Sequence, residues 1–101
     1  MRDRLRSTKC ARFLKALADP ERLRIIQRLQ TGPKNVSELS DLLGQDLANV
    51  SHHLGVLRHA GLVQAKRHGK YVLYSVHPDL NRPGRADCLD LGCCRLEWGD
   101  C

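Results

Sequence analysis

Apolar residues recur at helical spacing over the first sixty positions and at alternate positions just beyond. Between residues 4 and 18, Leu5, Phe13, Leu14, Leu17 and Ala18 stand among Arg and Lys, the pattern of an amphipathic helix. Asp19-Pro20-Glu21 then predicts a new helix start. Asp accepts from the free amides, Pro tolerates the first helical position, and Glu suits the positive end of the dipole. Leu23, Ile26 and Leu29 mark one face of that helix, which stops at Thr31-Gly32-Pro33. Asn35 and Glu38 are spaced as in a capping box. Leu39, Leu42 and Leu43 predict the apolar face of a short helix closed by Gly44. Asp46 caps a further helix from Leu47 to about His59, with Val50, Leu54 and Leu57 facing the core.

The last two helices, joined by a Gly-containing turn, have the form of a helix-turn-helix. Gly61 ends the second, and two strand-like runs follow, Leu62 to His68 and Lys70 to His77. Gly69 stands between them where a tight hairpin needs positive φ, and Val72, Tyr74 and Val76 alternate onto one face. The expected fold is mainly α with a small β-hairpin wing, a winged helix-turn-helix over residues 1–77. Residues 78–101 are expected to form a cysteine-rich C-terminal tail with little regular structure, because Asn81, Pro83 and Gly84 break any long helix.

Length and composition fit this outline. The chain has 101 residues, one domain's worth, and is 42% hydrophobic but only 4% aromatic, so its core rests on Leu, Val, Ile and Ala. No run approaches the ~20 apolar residues of a membrane span, and no signal-peptide stretch follows the basic start, so the expected location is the cytoplasm. The net charge is +6, and the excess sits in residues 1–30 and around Lys66–Lys70. Such a balance favours a polyanionic partner, nucleic acid above all, although it also serves solubility.

The helix over 47–59 is the candidate reading element. With its aliphatic side turned inward, Asn49, Ser51, His52, Gly55, Arg58 and His59 face out. Short polar groups near a helix start reach base edges, whereas Arg58 and the wing residues Arg67, His68 and Lys70 suit phosphates. His53 is a further candidate contact, but adjacent histidines point about 100° apart on a helix, so His53 equally suits internal packing.

Residues 16–77 resemble the ArsR/SmtB family of metalloregulatory winged-helix repressors. The likeness is carried by Ala16-Leu17-Ala18-Asp19-Pro20-Glu21-Arg22-Leu23-Arg24-Ile25, Val36-Ser37-Glu38-Leu39, Val50-Ser51-His52-His53-Leu54, Leu57-Arg58-His59-Ala60-Gly61-Leu62-Val63 and Gly69-Lys70-Tyr71-Val72-Leu73-Tyr74, in the family's order and spacing. The resemblance implies a homodimer that represses an operon from a palindromic operator in double-stranded DNA and lets go when an inducer binds. A family site with cysteines on the helix before the reading helix is absent, since Ser37-Glu38-Leu39-Ser40-Asp41 holds none. A zinc-type site on a long C-terminal dimer helix is equally unsuited to Pro83-Gly84. The dimer is therefore expected chiefly through the first helix, with Leu5, Phe13, Leu14 and Leu17.

What remains is Cys88-x4-Cys93-Cys94-x6-Cys101. Thiolates are soft ligands that select thiophilic ions. Cys93, Cys94 and a third cysteine resemble the C-terminal arsenite site of some of these repressors. Cys93, Cys94 and Cys101, with Cys88 as an alternate, are the expected ligands for As(III) or Sb(III). Cd(II) or Zn(II) on four thiolates, Pb(II), a thiol-redox switch and a structural zinc knot are the alternatives. Cys10 on the first helix reads as a small core residue or as a contributor across a dimer. An enzyme is not expected. A thiol redox enzyme would need a Gly-rich anion loop, and Ser51, His52 and His53 have no carboxylate to orient them.

Overall fold

Three of the four helices begin on side chains that cap them. The computed structural model describes residues 2–80 and 87–98, with side chains from Ser7 onward. Helix α1 spans Arg2–Leu17. Asp19 opens α2 (Pro20–Leu29), its Oδ1 accepting from the amides of Glu21 at 2.8 Å and Arg22 at 3.3 Å. Asn35 and Glu38 form the reciprocal box at the start of α3 (Val36–Leu43), and Gly44 closes that helix at φ 63°, a conformation only glycine adopts cheaply. Asp46 caps α4 (Leu47–His59) by accepting from the Asn49 amide at 2.7 Å.

The wing follows as β1 (Val63–His68) antiparallel to β2 (Tyr71–Val76), with Val63 opposite Val76 and His68 opposite Tyr71. That register leaves Gly69-Lys70 as a two-residue turn. Gly69 has φ 63° and Lys70 is not left-handed, the combination of a II′ turn. Lys34 pairs with Tyr74 on the outer edge of β2, tying the wing to the loop before α3.

The core is aliphatic, as the composition demands. Ile25, Ile26, Leu39, Leu54, Leu57 and Leu62 are fully buried, with Phe13, Leu17 and Leu29 beside them. Phe13 and Leu17 therefore serve this chain's own interior. Of the residues expected at a dimer seam, Leu14 stays exposed, and the Leu5 side chain lies outside the described residues. Leu42 also departs from expectation, being 48% exposed. At about 100° per residue, Leu43 and Leu42 fall on opposite sides of buried Leu39, and Leu42 is the more displaced.

Residues 88–97 correct the expected irregular tail. They form β3 (Cys88–Asp90) and β4 (Arg95–Glu97), an antiparallel hairpin with Leu89 opposite Leu96. Leu89 is fully buried and Leu91 nearly so, both within the same core as the helices, and Gln30 Nε2 donates to the Cys88 carbonyl at 2.6 Å. Alternate apolar residues over so short a run are a weak local signal, and burial in the shared core supplies what local propensity lacks. The breakers Asn81, Pro83 and Gly84 lie outside the described residues.

The Asp19 cap carries a pH dependence. Burial acts to raise this carboxyl's pKa, but the amides of Arg22 and Glu21 and the nearby Arg22 and His53 side chains outweigh it and hold the carboxyl below its ordinary value. A lowered folded-state pKa stabilises the fold at pH above the unfolded value near ~3.9, and that contribution is lost as pH falls through the folded value. Asp19→Asn keeps a capping oxygen without the charge. Its stability is expected to fall less than wild type's between about pH 6 and about pH 2.5 in a urea denaturation series; an unchanged acid slope would contradict this assignment.

Candidate functional site

Helix α4 is amphipathic in a way that separates anchoring from presentation. Val50, Leu54 and Leu57 are buried to within 1% of full exclusion, while Ser51, His52, Gly55, Arg58 and His59 are exposed. A Cβ added at Gly55 would meet nothing within 4 Å, so this chain's own packing does not require the glycine. Asn49 is half-buried, and its Nδ2 donates to Gln45 Oε1 at 2.9 Å. At the wing, Lys66, Arg67, His68 and Lys70 are all exposed around the Gly69 turn. The sequence reading passed over Tyr71, which is 54% exposed with Lys70 Nζ 5.8 Å from its ring centre. Its place beside the turn glycine was the available signal.

His53 does not share the outward face. It is 9% exposed, and its Nδ1 lies 3.2 Å from Arg22 Nη1. A guanidinium only donates, so Nδ1 is the acceptor. The Arg22 Nε also donates to the carbonyl of Ala16 near the end of α1. Arg22 thus joins α1 to α4, and His53 takes part in that link while Ser51 and His52 face outward. Neither residue advertised this link, because it depends on how three helices meet. A groove of about 750 Å³ separates the same helices, with Arg12, Lys15 and Arg22 on one wall and Ser51, His52 and His59 on the other. The cations of α1 therefore border the exposed side of α4.

The cysteines divide. Cys93 and Cys94 occupy the turn between β3 and β4, where the Leu91 amide donates to the Cys94 carbonyl at 2.9 Å and the Gly92 amide to Asp90 Oδ1 at 2.8 Å. This turn lies against α1. Cys10 and Cys93 are joined by a disulfide, with Cα atoms 6.1 Å apart, and the free Cys94 has its Sγ 3.9 Å from that of Cys10. The three sulfurs all lie within 4.8 Å of one another, and all three residues are half-buried. Cys10, read from sequence as a small core residue or as a contributor across a dimer, is thus the partner of the C-terminal pair within one chain. Cys88 is buried on β3 and is itself disulfide-bonded. Cys101 lies outside the described residues.

No helix among the described residues is long and apolar enough to cross a membrane. Residues 17–64 match a family described as a helix-turn-helix domain. The transcriptional regulator NmtR of Mycobacterium tuberculosis is 41% identical over 71 residues, covering 70% of this chain and 59% of NmtR. A probable mercury resistance operon repressor of Streptomyces lividans is 39% identical over 84 residues, 83% of this chain and 64% of that protein. The chain thus spans about three fifths of the length of these curated relatives. Among solved structures, the homodimeric winged helix-turn-helix DNA-binding domain of Mycobacterium bovis Mb0332, a possible ArsR-family regulator, superimposes with a TM-score of 0.71 at 32% identity, covering 77% of this chain and 72% of that one. The four helices, the two-stranded wing and these likenesses agree: the chain belongs to the ArsR/SmtB family of winged helix-turn-helix transcriptional regulators.

Proposed function

We propose that this chain acts as a homodimeric repressor that holds a palindromic operator through α4 and the wing, and releases it when As(III) or Sb(III) binds its cysteines. The observation that carries the DNA-binding part is the two-sidedness of α4: a fully packed aliphatic side, and an exposed side bearing Ser51 and His52 and bordered by Arg12 and Lys15 of α1. Ser51, His52 and Asn49 are assigned to base edges, and Arg58, Arg67, His68 and Lys70 to the phosphates. Two copies of α4 would enter successive major grooves, with half-sites about one turn, ~34–36 Å, apart. The homodimeric Mb0332 domain supports the two-copy assembly. Exposed Leu14 on α1 is available to such a seam.

The inducer assignment draws its support from the adjacent cysteines Cys93 and Cys94, clustered with Cys10, and from the mercury-resistance relative. A trivalent metalloid takes three sulfurs, whereas a tetrahedral Zn(II) or Cd(II) site would need a fourth ligand beyond this cluster. Fluorescence anisotropy of labelled operator tests the whole reading. Arsenite is expected to release reduced wild-type protein and to leave the Cys93→Ser/Cys94→Ser variant bound. A coupling of ~1–3 kcal/mol corresponds to about 5–150-fold in operator affinity. Release by Zn(II) alone, or equal release of the variant, would refute the metalloid assignment.

A further inference from the structure

The three clustered sulfurs come from two distant places in the chain, and both places are held by backbone. Cys10 stands on α1, which is anchored in the core by Phe13, Ala16 and Leu17. Cys93 and Cys94 stand in a turn closed by two backbone-amide hydrogen bonds, and buried Leu91 fixes that turn to the core. The sulfurs are therefore delivered to one point by the fold. Two thiolates on a common tetrahedral ion with bonds near ~2.3 Å lie about 3.8 Å apart, and the narrower angles of a pyramidal As(III) draw them a few tenths of an ångström closer. Cys10 and Cys94, at 3.9 Å, need only a small approach to share such an ion. The Cys10–Cys93 bond occupies the same space with sulfur alone.

We infer that Cys10, Cys93 and Cys94 of one chain form a three-thiolate site for an ion of the As(III) class, and that oxidation of Cys10 with Cys93 closes that site. This inference rests on the inducer reading above and adds its third ligand and its gate. In loading, arsenous acid exchanges three As–O bonds for three As–S bonds, and its three hydroxyls leave as water with the three thiol protons. The arsenic lone pair fills the remaining direction, so no fourth ligand is required. In closing, a peroxide accepts two electrons: the Cys10 and Cys93 thiols lose their hydrogens, one S–S bond forms, the O–O bond breaks and two waters leave. In reopening, a small thiol reductant exchanges through a mixed disulfide, is itself oxidised to its disulfide, and returns two protons to Cys10 and Cys93. While the bond is closed only Cys94 remains, and a single thiolate does not chelate. An oxidised repressor would then be deaf to its inducer while its α4 face is unaltered.

The test uses the full chain without DNA, titrated with arsenite and followed by near-ultraviolet sulfur-to-arsenic absorbance. Reduced wild type is expected to take one arsenite per chain. Cys10→Ser is expected to weaken arsenite about a hundredfold or more, since one of three linked ligands is lost, while Cys101→Ser stays near wild type. Phenylarsine oxide needs only two sulfurs, so it is expected to bind Cys10→Ser as it binds wild type, which also reports an intact fold and an intact Cys93–Cys94 pair. Peroxide-treated protein is expected to take no arsenite until a small thiol is added. Undiminished arsenite binding by Cys10→Ser, a Cys101→Ser loss as large as that of Cys10→Ser, or full uptake by the oxidised protein would overturn the inference. Because no operator is present, these outcomes are independent of the anisotropy titration that tests the repressor reading.

Discussion

Operator affinity is expected to fall about ten-thousand-fold as salt rises from about 50 to about 200 mM, with a slope near −7 in a plot of log affinity against log salt. Arg58 on α4 and Lys66, Arg67 and Lys70 on the wing are exposed, and none of them has an acidic partner among the ion pairs of the described residues. Four per protomer give about eight neutralised phosphates in a dimer, and each contributes about −0.9 to the slope. The wing's share is separable. Arg67→Ala/Lys70→Ala would remove about four of those contacts and roughly halve the slope, while leaving the preference among operator variants intact, since phosphate contacts carry no sequence information. Ser51→Ala or His52→Ala would do the reverse, relaxing specificity with little change in slope. Anisotropy titrations over a salt series measure both quantities. A slope unmoved by the wing substitutions would mean that the wing does not touch the backbone.

The second large effect concerns the other side of the same helix. Leu54→Ala is expected to destabilise the fold by about 2–5 kcal/mol, the range for truncating a fully buried leucine where the surroundings relax only partly. Leu54 is 0% exposed and lies between Val50 and Leu57, which are equally buried. For a domain of this size a loss of that order lowers the melting temperature by about 10–30 °C, a large part of a total stability of about 5–15 kcal/mol. Leu47, on the same helix but 53% exposed, is the internal control, and Leu47→Ala is expected to change stability by less than about 0.5 kcal/mol. Thermal and urea denaturation, both with reductant present, decide this. Similar losses from both substitutions would show that α4 is not seated on its Val50–Leu54–Leu57 side.

These two expectations exploit the part of the molecule that was legible in advance. The caps Asp19, Asn35 and Asp46, the glycine at the end of α3 and the turn glycine of the wing all act over two to four residues, so residue identity at fixed offsets was enough to locate them. The helical spacing of Val50, Leu54 and Leu57 likewise decided which side of α4 faces in. Where helical spacing allows two uses, local pattern does not choose between them. Leu42 and Leu43 both fit an apolar face, and Phe13 and Leu17 fit either a partner or the chain's own interior. Only the packing of neighbours chose between these uses.

The amino-acid order alone therefore determined the helices, their boundaries, the wing and the outward placement of Ser51 and His52, because each follows from interactions between residues a few positions apart. The folded arrangement decided what distance along the chain conceals. His53 is drawn inward by Arg22, 31 residues away. The C-terminal segment gains its strands by burying Leu89 and Leu91 against helices. Cys10 meets Cys93 across a separation of 83 residues. No local propensity encodes such a meeting, since it exists only once a shared core has brought α1 and the last hairpin together.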